Sequence, residues 1–290
     1  MLAKIELLPC IHRMKDTDPT APPPMFNEKT VMTIAQRNKG MPWRMGLAHA
    51  RPHHMAIWVT RGAAKAVVDA RDQNLGSHNA LFVPAGTLFS FQPEGGCFGQ
   101  TLVLPVMESL NWPDGPMLLR VREPQAQLTL TGYFEAIQVE ARAAGPMSDV
   151  AISAHAQLMM VWAQRYQGPG AGMQRSTAAR RVMRAFCALI VQSEGTDLSG
   201  APMAKFAARL GVTPTHLTRV CKAECGMTAA DLLTQFTLQR ARRLLEKTTK
   251  PAAHISKELG FSNPAYFTRF IKTHTGLPPS QLRDGPEIML

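Results

Sequence analysis

"SNPAYFTRFIKTHTG" (residues 262–276) repeats a pattern already written fifty residues earlier as "VTPTHLTRVCKAECG" (212–226). Laid over each other, the copies share a Pro (Pro214, Pro264), a Thr-Arg pair (Thr218-Arg219, Thr268-Arg269), a Lys (Lys222, Lys272) and a closing Gly (Gly226, Gly276). Each follows a short amphipathic segment ending in Leu-Gly, "KFAARLG" (205–211) and "HISKELG" (254–260). Gly211 and Gly260 fall where a helix must release its chain through a left-handed residue. A polar N-cap comes next, Thr213 in one copy and Ser262 or Asn263 in the other, and then Pro in the first turn, where a missing N–H does least harm. Helix, glycine turn, helix at this spacing is the helix-turn-helix pattern.

The second helix of each copy divides into two faces. Leu217, Val220 and Cys221 form an i, i+3, i+4 stripe, and Phe267, Phe270 and Ile271 take the matching places. Cys221 thus stands where Ile271 stands, and core packing accounts for it. The other faces carry Thr215, His216, Thr218, Arg219 and Lys222, then Ala265, Tyr266, Thr268, Arg269 and Lys272. Arg forks onto guanine O6 and N7, and Thr offers a donor or a methyl contact, so such a face can read base edges. Lys and the N–H groups of a helix start suit phosphates. Packing alone does not require Thr-Arg and Lys to recur outward, which argues against a plain helical bundle with a solvated basic face. Between the copies, "ADLLTQFTLQRARRLLEKTT" reads as a long amphipathic helix that fixes the spacing of two reading heads, ideally ~34 Å apart on a duplex. Arg240, Arg242 and Arg243 on it are candidates for backbone contact.

Charge agrees with this placement. The 290-residue chain has a net charge of +11, and from residue 200 onward thirteen Lys and Arg face six Asp and Glu. A basic C-terminal part suits a polyanion. An apolar fraction of 45% marks a globular chain long enough for two domains. There is no apolar run of bilayer length and no secretory leader, so a cytoplasmic protein without a membrane partner is expected. Five scattered cysteines, with no CxxC pair, indicate neither a disulfide framework nor a structural zinc site.

Upstream, "DPTAPPPMFNEKT" suggests an extended arm over 1–30. From 31 to 120 short strand-like runs follow ("MAIWV", "KAVVDA", "NALFVPAG", "TLFSF", "QTLVLPV"), the pattern of a small barrel or sandwich. Over 121–172 the period turns helical, with Leu130, Phe134, Ile137 and Ala141 on one stripe and Ile152, His155, Met159, Trp162 and Tyr166 on another, His155 read as packed core. "GPGAG" (168–172) reads as a loop, and 174–194 as a helix with Val182, Phe186, Leu189 and Ile190 inward and Arg180, Arg181 and Arg184 outward.

The C-terminal stretches "FAARLGVTPTHLTRVCKAECG", "FTLQRARRLLEKT" and "ISKELGFSNPAYFTRFIKTHTGLPPSQLR" together resemble the DNA-binding domain of the AraC/XylS family of bacterial transcription regulators, over about 190–284. Ser256 departs from the family's usual Ala, and Leu282 from its usual aromatic. The resemblance implies an α+β multidomain chain: a cupin-like β-barrel and a helical dimerisation region, then an all-α domain over 173–290. That domain would hold helix-turn-helix units at about 202–223 and 251–273 around a linker helix at about 230–248. By residue match it implies Thr215, Thr218 and Arg219, with Ala265, Thr268 and Arg269, as base readers. It further implies an operator duplex, a small organic effector, a second copy of the chain and RNA polymerase as partners, and neither catalysis nor a cofactor.

The barrel invites a metal reading, with a cupin-type metal enzyme as the alternative function. His49, His53 and His54 have the wrong spacing for a cupin His-x-His-Glu set, and Phe89 stands where the second motif, begun by Pro84 and Gly86, needs His. Phe cannot ligate a metal but can line an apolar pocket. The expected effector pocket is therefore His49, His53, Trp58, Phe82 and Phe89. A DNA-repair methyl acceptor would need an activated Cys with zinc-binding partners, and Cys10 and Cys97 stand alone.

Overall fold

The computed structural model describes residues 26, 30–38, 43–68, 71–168, 177–193 and 203–284. The expected N-terminal arm, apart from Phe26 and Thr30, lies outside them, as do residues 169–172 of the Gly-rich loop.

Among the described residues the N-terminal half holds eight strands: β1 (Val31–Thr33), β2 (His53–Arg61), β3 (Ala64–Val68), β4 (Arg71–Leu75), β5 (Asn79–Val83), β6 (Phe89–Pro93), β7 (Phe98–Pro105) and β8 (Met117–Arg120). They form two antiparallel sheets, one ordered β1-β7-β2-β5-β8 and the other β4-β3-β6. Two short helices, α1 (Ile34–Asn38) and α2 (Trp43–Gly46), lie between β1 and β2. The five runs expected to be strands are strands; β1, β4 and β8 are additional.

Side-chain alternation explains how the sheets stack. Along β2 and β5 the odd residues Met55, Ile57, Val59, Leu81 and Val83 join Ala66, Val68, Phe89 and Phe91 of the smaller sheet in one core. The even residues Ala56, Trp58, Ala80 and Phe82 face the opposite way, into a second core. Both faces of the larger sheet are thus covered, which is why β5 is buried at every position. Gly99 makes the close approach of β7 to β2 possible. Its φ is +155°, and a Cβ there would lie 2.0 Å from the Trp58 carbonyl oxygen, next to the register shift between Val59 and Arg61.

The second core is closed by α3 (Pro124–Ala143) and α4 (Ser148–Gln167). In α3 the buried residues are Leu130, Phe134, Ile137 and Ala141, the stripe expected. In α4 the buried row is Ile152, Ala156, Met159, Met160 and Ala163, and His155 is half-buried at its edge rather than in the core. The stripe is rotated because Ala156 and Ala163 allow close approach while the longer Trp162 and Tyr166 pack at the flank, stacked 5.2 Å apart. Trp58 reaches this layer and donates its indole N–H to Thr131 Oγ1 at 3.2 Å.

The C-terminal half is helical: α5 (Ala178–Gln192), α6 (Met203–Arg209), α7 (Pro214–Cys225), α8 (Ala229–Lys247), α9 (Ala252–Glu258), α10 (Pro264–Thr275) and α11 (Pro279–Asp284). On α5, Met183 and Cys187 are buried with Phe186 and Ile190, while the expected Val182 and Leu189 are half-buried. Arg180 is half-buried too, its Nε 3.7 Å from Glu224 of α7. Two cores share α8. Leu232, Leu233 and Phe236 pack with α5, α6 and α7, whereas Leu238, Ala241 and Leu245 pack with α9, α10 and Leu282 of α11.

Candidate nucleic-acid interface

Local chemistry sets both reading helices. Thr213 caps α7, its hydroxyl accepting from the His216 N–H at 3.1 Å, and Asn263 caps α10, its side chain accepting from the Tyr266 N–H at 2.9 Å. The second cap is therefore Asn263, and Ser262 is an exposed neighbour. Gly226 and Gly276 close the helices at φ 72° and 74°, and Gly211 and Gly260 make the preceding turns at 66° and 79°. Leu217, Val220 and Cys221 of α7 and Phe267 and Ile271 of α10 are buried, while Phe270 is half-buried.

The outward faces hold the predicted residues. Thr213, Thr215, Arg219 and Lys222 are exposed on the first unit, and His216 and Thr218 are half-buried. On the second, Ser262, Asn263, Ala265, Tyr266, Thr268, Arg269 and Lys272 are all exposed. Neither guanidinium is tucked inside. They differ in one respect: Arg219 Nη2 lies 3.0 Å from His216 Nδ1, whereas Arg269 has no hydrogen bond or ion pair among the described residues. A guanidinium only donates, so Nδ1 is the acceptor and the His216 proton sits on Nε2.

The scaffold beneath is stiff. A capping box starts α8, with Thr228 and Asp231 satisfying each other's N–H groups at 3.1 Å. Its 19 residues span roughly 28 Å and carry one unit near each end. Behind α10, Arg283 donates to the carbonyls of Thr248 and Lys250, tying α11 to the α8–α9 connection. Burial pushes the Cys221 thiol up to about 12, with Cys225 adding to it, so this pair is inert packing and not a reactive dithiol.

Residues 206–285 match the family described as "Helix-turn-helix domain". The HTH-type transcriptional regulator GlxA of Rhizobium meliloti is 32% identical over 119 residues, 39% of this chain and 36% of its own length. The arabinose operon regulatory protein of Escherichia coli is 28% identical over 89 residues, 31% of this chain and 30% of its own. Residues 206–285 thus form a helix-turn-helix domain of the AraC type. These matches span about a third of each curated relative's length. Among solved structures, ToxT from Vibrio cholerae aligns over 82% of this chain and 93% of its own, at 11% identity and a TM-score of 0.44.

Outside the AraC-type domain's reading faces, the expected effector residues do not converge. Trp58 and Phe82 lie in the core under α3 and α4, Phe89 lies between the sheets, and period-two alternation keeps these two sites apart. The layer between the sheets is lined by buried apolar side chains, Phe89 among them. His49 and His53 instead border a cavity of about 350 Å³ between residues 49–53 and α8. Arg240, Arg242 and Arg243 line its other wall, so this part of α8 faces residues 49–53. The packing that produces this is Gln235 accepting from the Ala48 N–H at 3.0 Å, with Ala48 and Leu88 entering the α5–α8 core.

Sequence reasoning missed Arg51, which forms the floor of that cavity. His49, 3% exposed, is held neutral: burial and then the Arg51 charge lower it to about 3. Its Nδ1–H donates to the Leu47 carbonyl at 2.7 Å and its Nε2 accepts from Arg51 Nε at 3.1 Å. Nothing in the linear sequence pairs residue 51 with residue 243. Among the described residues no group of three His, Cys, Asp or Glu converges to hold a metal, and no helix is long and apolar enough to cross a membrane.

Proposed function

We propose that the chain is a transcription regulator that reads an operator with α7 and α10, under the control of a small effector acting through its N-terminal half. One observation carries this reading: an outward Thr-Arg face with exposed Arg and a trailing exposed Lys recurs on two capped helices fixed to one rod. Arg219 and Arg269 are the base readers, Thr215, Thr218, Ala265 and Thr268 their neighbours, and Lys222 and Lys272 the phosphate contacts. The chain acts as a homodimer in this reading. Support comes from the outer face of α3 and α4, where Leu128 is 67%, Val139 64%, Val150 56% and Leu158 55% exposed, an apolar surface that a second copy would cover.

The test is gel shift on the DNA upstream of the chain's own coding region, with a salt titration. Arg219→Ala and Arg269→Ala each lower operator affinity by about 1–3 kcal/mol and relax specificity at one position. Lys222→Ala weakens all sequences alike and lowers the salt slope by about one. Binding that is equally weak on every duplex overturns the reading.

A further inference from the structure

The two reading helices differ at their first turns. Among the described residues of the helical half, Tyr266 is the one large apolar side chain left exposed, at 57%. It stands on α10 beside Ala265, which is exposed too. Its side chain makes no hydrogen bond or ring contact among the described residues, while its backbone N–H is held by the Asn263 cap at 2.9 Å. Arg269 follows Ala265 by four positions and Tyr266 by three, so the three side chains share one face within a single turn. The core under α10 takes in neither Ala265 nor Tyr266, so packing does not account for them. At the matching places α7 carries other chemistry. Thr215 offers a hydroxyl, and the half-buried His216 gives its Nδ1 to Arg219 at 3.0 Å. One head leads with hydrogen-bonding groups, the other with a methyl and an aromatic ring.

We infer that the second unit selects thymine: Ala265 and Tyr266 cover the C5-methyl group of a thymine close to the guanine that Arg269 reads. In the major groove every base shows donors or acceptors, but among the four only thymine adds a methyl group. An apolar side chain gains by covering that methyl, whereas against the other bases it leaves a polar edge unpaired. The N-terminal residues of a recognition helix are those that reach base edges. On α10 these are Ala265 and Tyr266, directly after the Asn263 cap and Pro264. Spacing sets the register. The first turn precedes Arg269 by about one helical pitch, ~5.4 Å, and base pairs rise by ~3.4 Å, so the thymine lies one or two steps from the guanine. This inference rests on the regulator reading and deepens it, since the two heads of one chain then read unlike sequences.

Duplexes are selected from a random pool by the full-length chain, and the register of α10 is set by the guanine whose preference Arg269→Ala relaxes. The thymine one or two steps from that guanine is then replaced by deoxyuridine, which lacks only the methyl group. The wild type binds the uracil duplex about fourfold more weakly, the equivalent of ~0.8 kcal/mol for one buried carbon. Ala265→Ser and Tyr266→His each narrow that gap, and the double variant binds the thymine and uracil duplexes alike. Both positions are exposed, so thermal midpoints stay within a degree or two of the wild type, and the uracil comparison on the wild type needs neither variant to fold. A selected sequence without thymine at those two steps overturns the inference. So does equal wild-type affinity for the two duplexes, or a gap that survives in the double variant. All three outcomes leave the regulator reading standing. Selection of no sequence at all overturns the regulator reading, and the thymine reader with it.

Discussion

At the scale of single residues, departures from the family pattern are informative because each can be priced physically. Ser256 stands in α9 where the resemblance expects Ala; it is 1% exposed and its hydroxyl has no hydrogen-bond partner among the described residues. An unsatisfied buried hydroxyl is unfavourable by about 1–3 kcal/mol, and Ala is also the better helix former. Ser256→Ala is therefore expected to stabilise the C-terminal domain by about 1 kcal/mol, read as a higher urea midpoint at unchanged slope. A drop of similar size would mean that the hydroxyl has found a partner. Leu282 departs in the other direction, and it is 4% exposed in a core with Leu238, Leu245 and Phe267. At the reading face, the hydrogen bond from Arg219 to His216 makes the two arginines inequivalent. Arg219 is pre-oriented along its helix, whereas Arg269 must lose side-chain entropy when it meets a base.

At the scale of elements, each helix-turn-helix boundary is set by a few local groups, and local groups are what a sequence displays. Asn263 has extended backbone angles and satisfies the Tyr266 N–H, so Asn263→Ala is expected to destabilise the second unit by about 1 kcal/mol. Asn263→Ser, which keeps a capping oxygen, restores most of that loss, and Ser262→Ala changes stability by at most a few tenths of a kcal/mol. Helicity and thermal midpoint of the three variants decide it; equal losses at 262 and 263 would refute the assignment. The same logic explains what could be read in advance. Caps, prolines and left-handed glycines placed α7 and α10 within a residue or two, and the 3.6-residue period placed α3 and α8. The strands β4 ("RDQNL") and β8 ("MLLR") are held by pairing to β3 and β5, partners that no local signal names. Barrel-type alternation announced β2 and β5 but not which face met which core, so Trp58, Phe82 and Phe89 were expected in one pocket and lie in two layers.

At the scale of the whole molecule, the segment that faces α8 contains His49, and that makes its attachment to β6 sensitive to acid. The His49 N–H and carbonyl pair with the Phe89 backbone, each at 2.9 Å, while its ring packs on the Phe89 ring with centroids 4.4 Å apart. The ring accepts from Arg51 only when neutral, and its pKa in the folded chain is about 3 against an ordinary 6.5. Between those values the unfolded chain binds a proton that the folded chain refuses, so stability rises with pH across this window. The stabilisation is complete above about pH 6.5 and is lost progressively as pH falls toward 3. Histidine 49 to glutamine, His49→Gln, provides an N–H for Leu47 and a carbonyl for Arg51 but cannot titrate. Hydrogen exchange at the His49 and Phe89 amides, corrected for intrinsic rates, should show protection falling in the wild type between about pH 7 and about pH 5 and staying level in His49→Gln. Parallel decline in both proteins would place the acid sensitivity elsewhere. Level protection in the variant alone would establish that one neutral imidazole governs how firmly the segment facing α8 is held to β6.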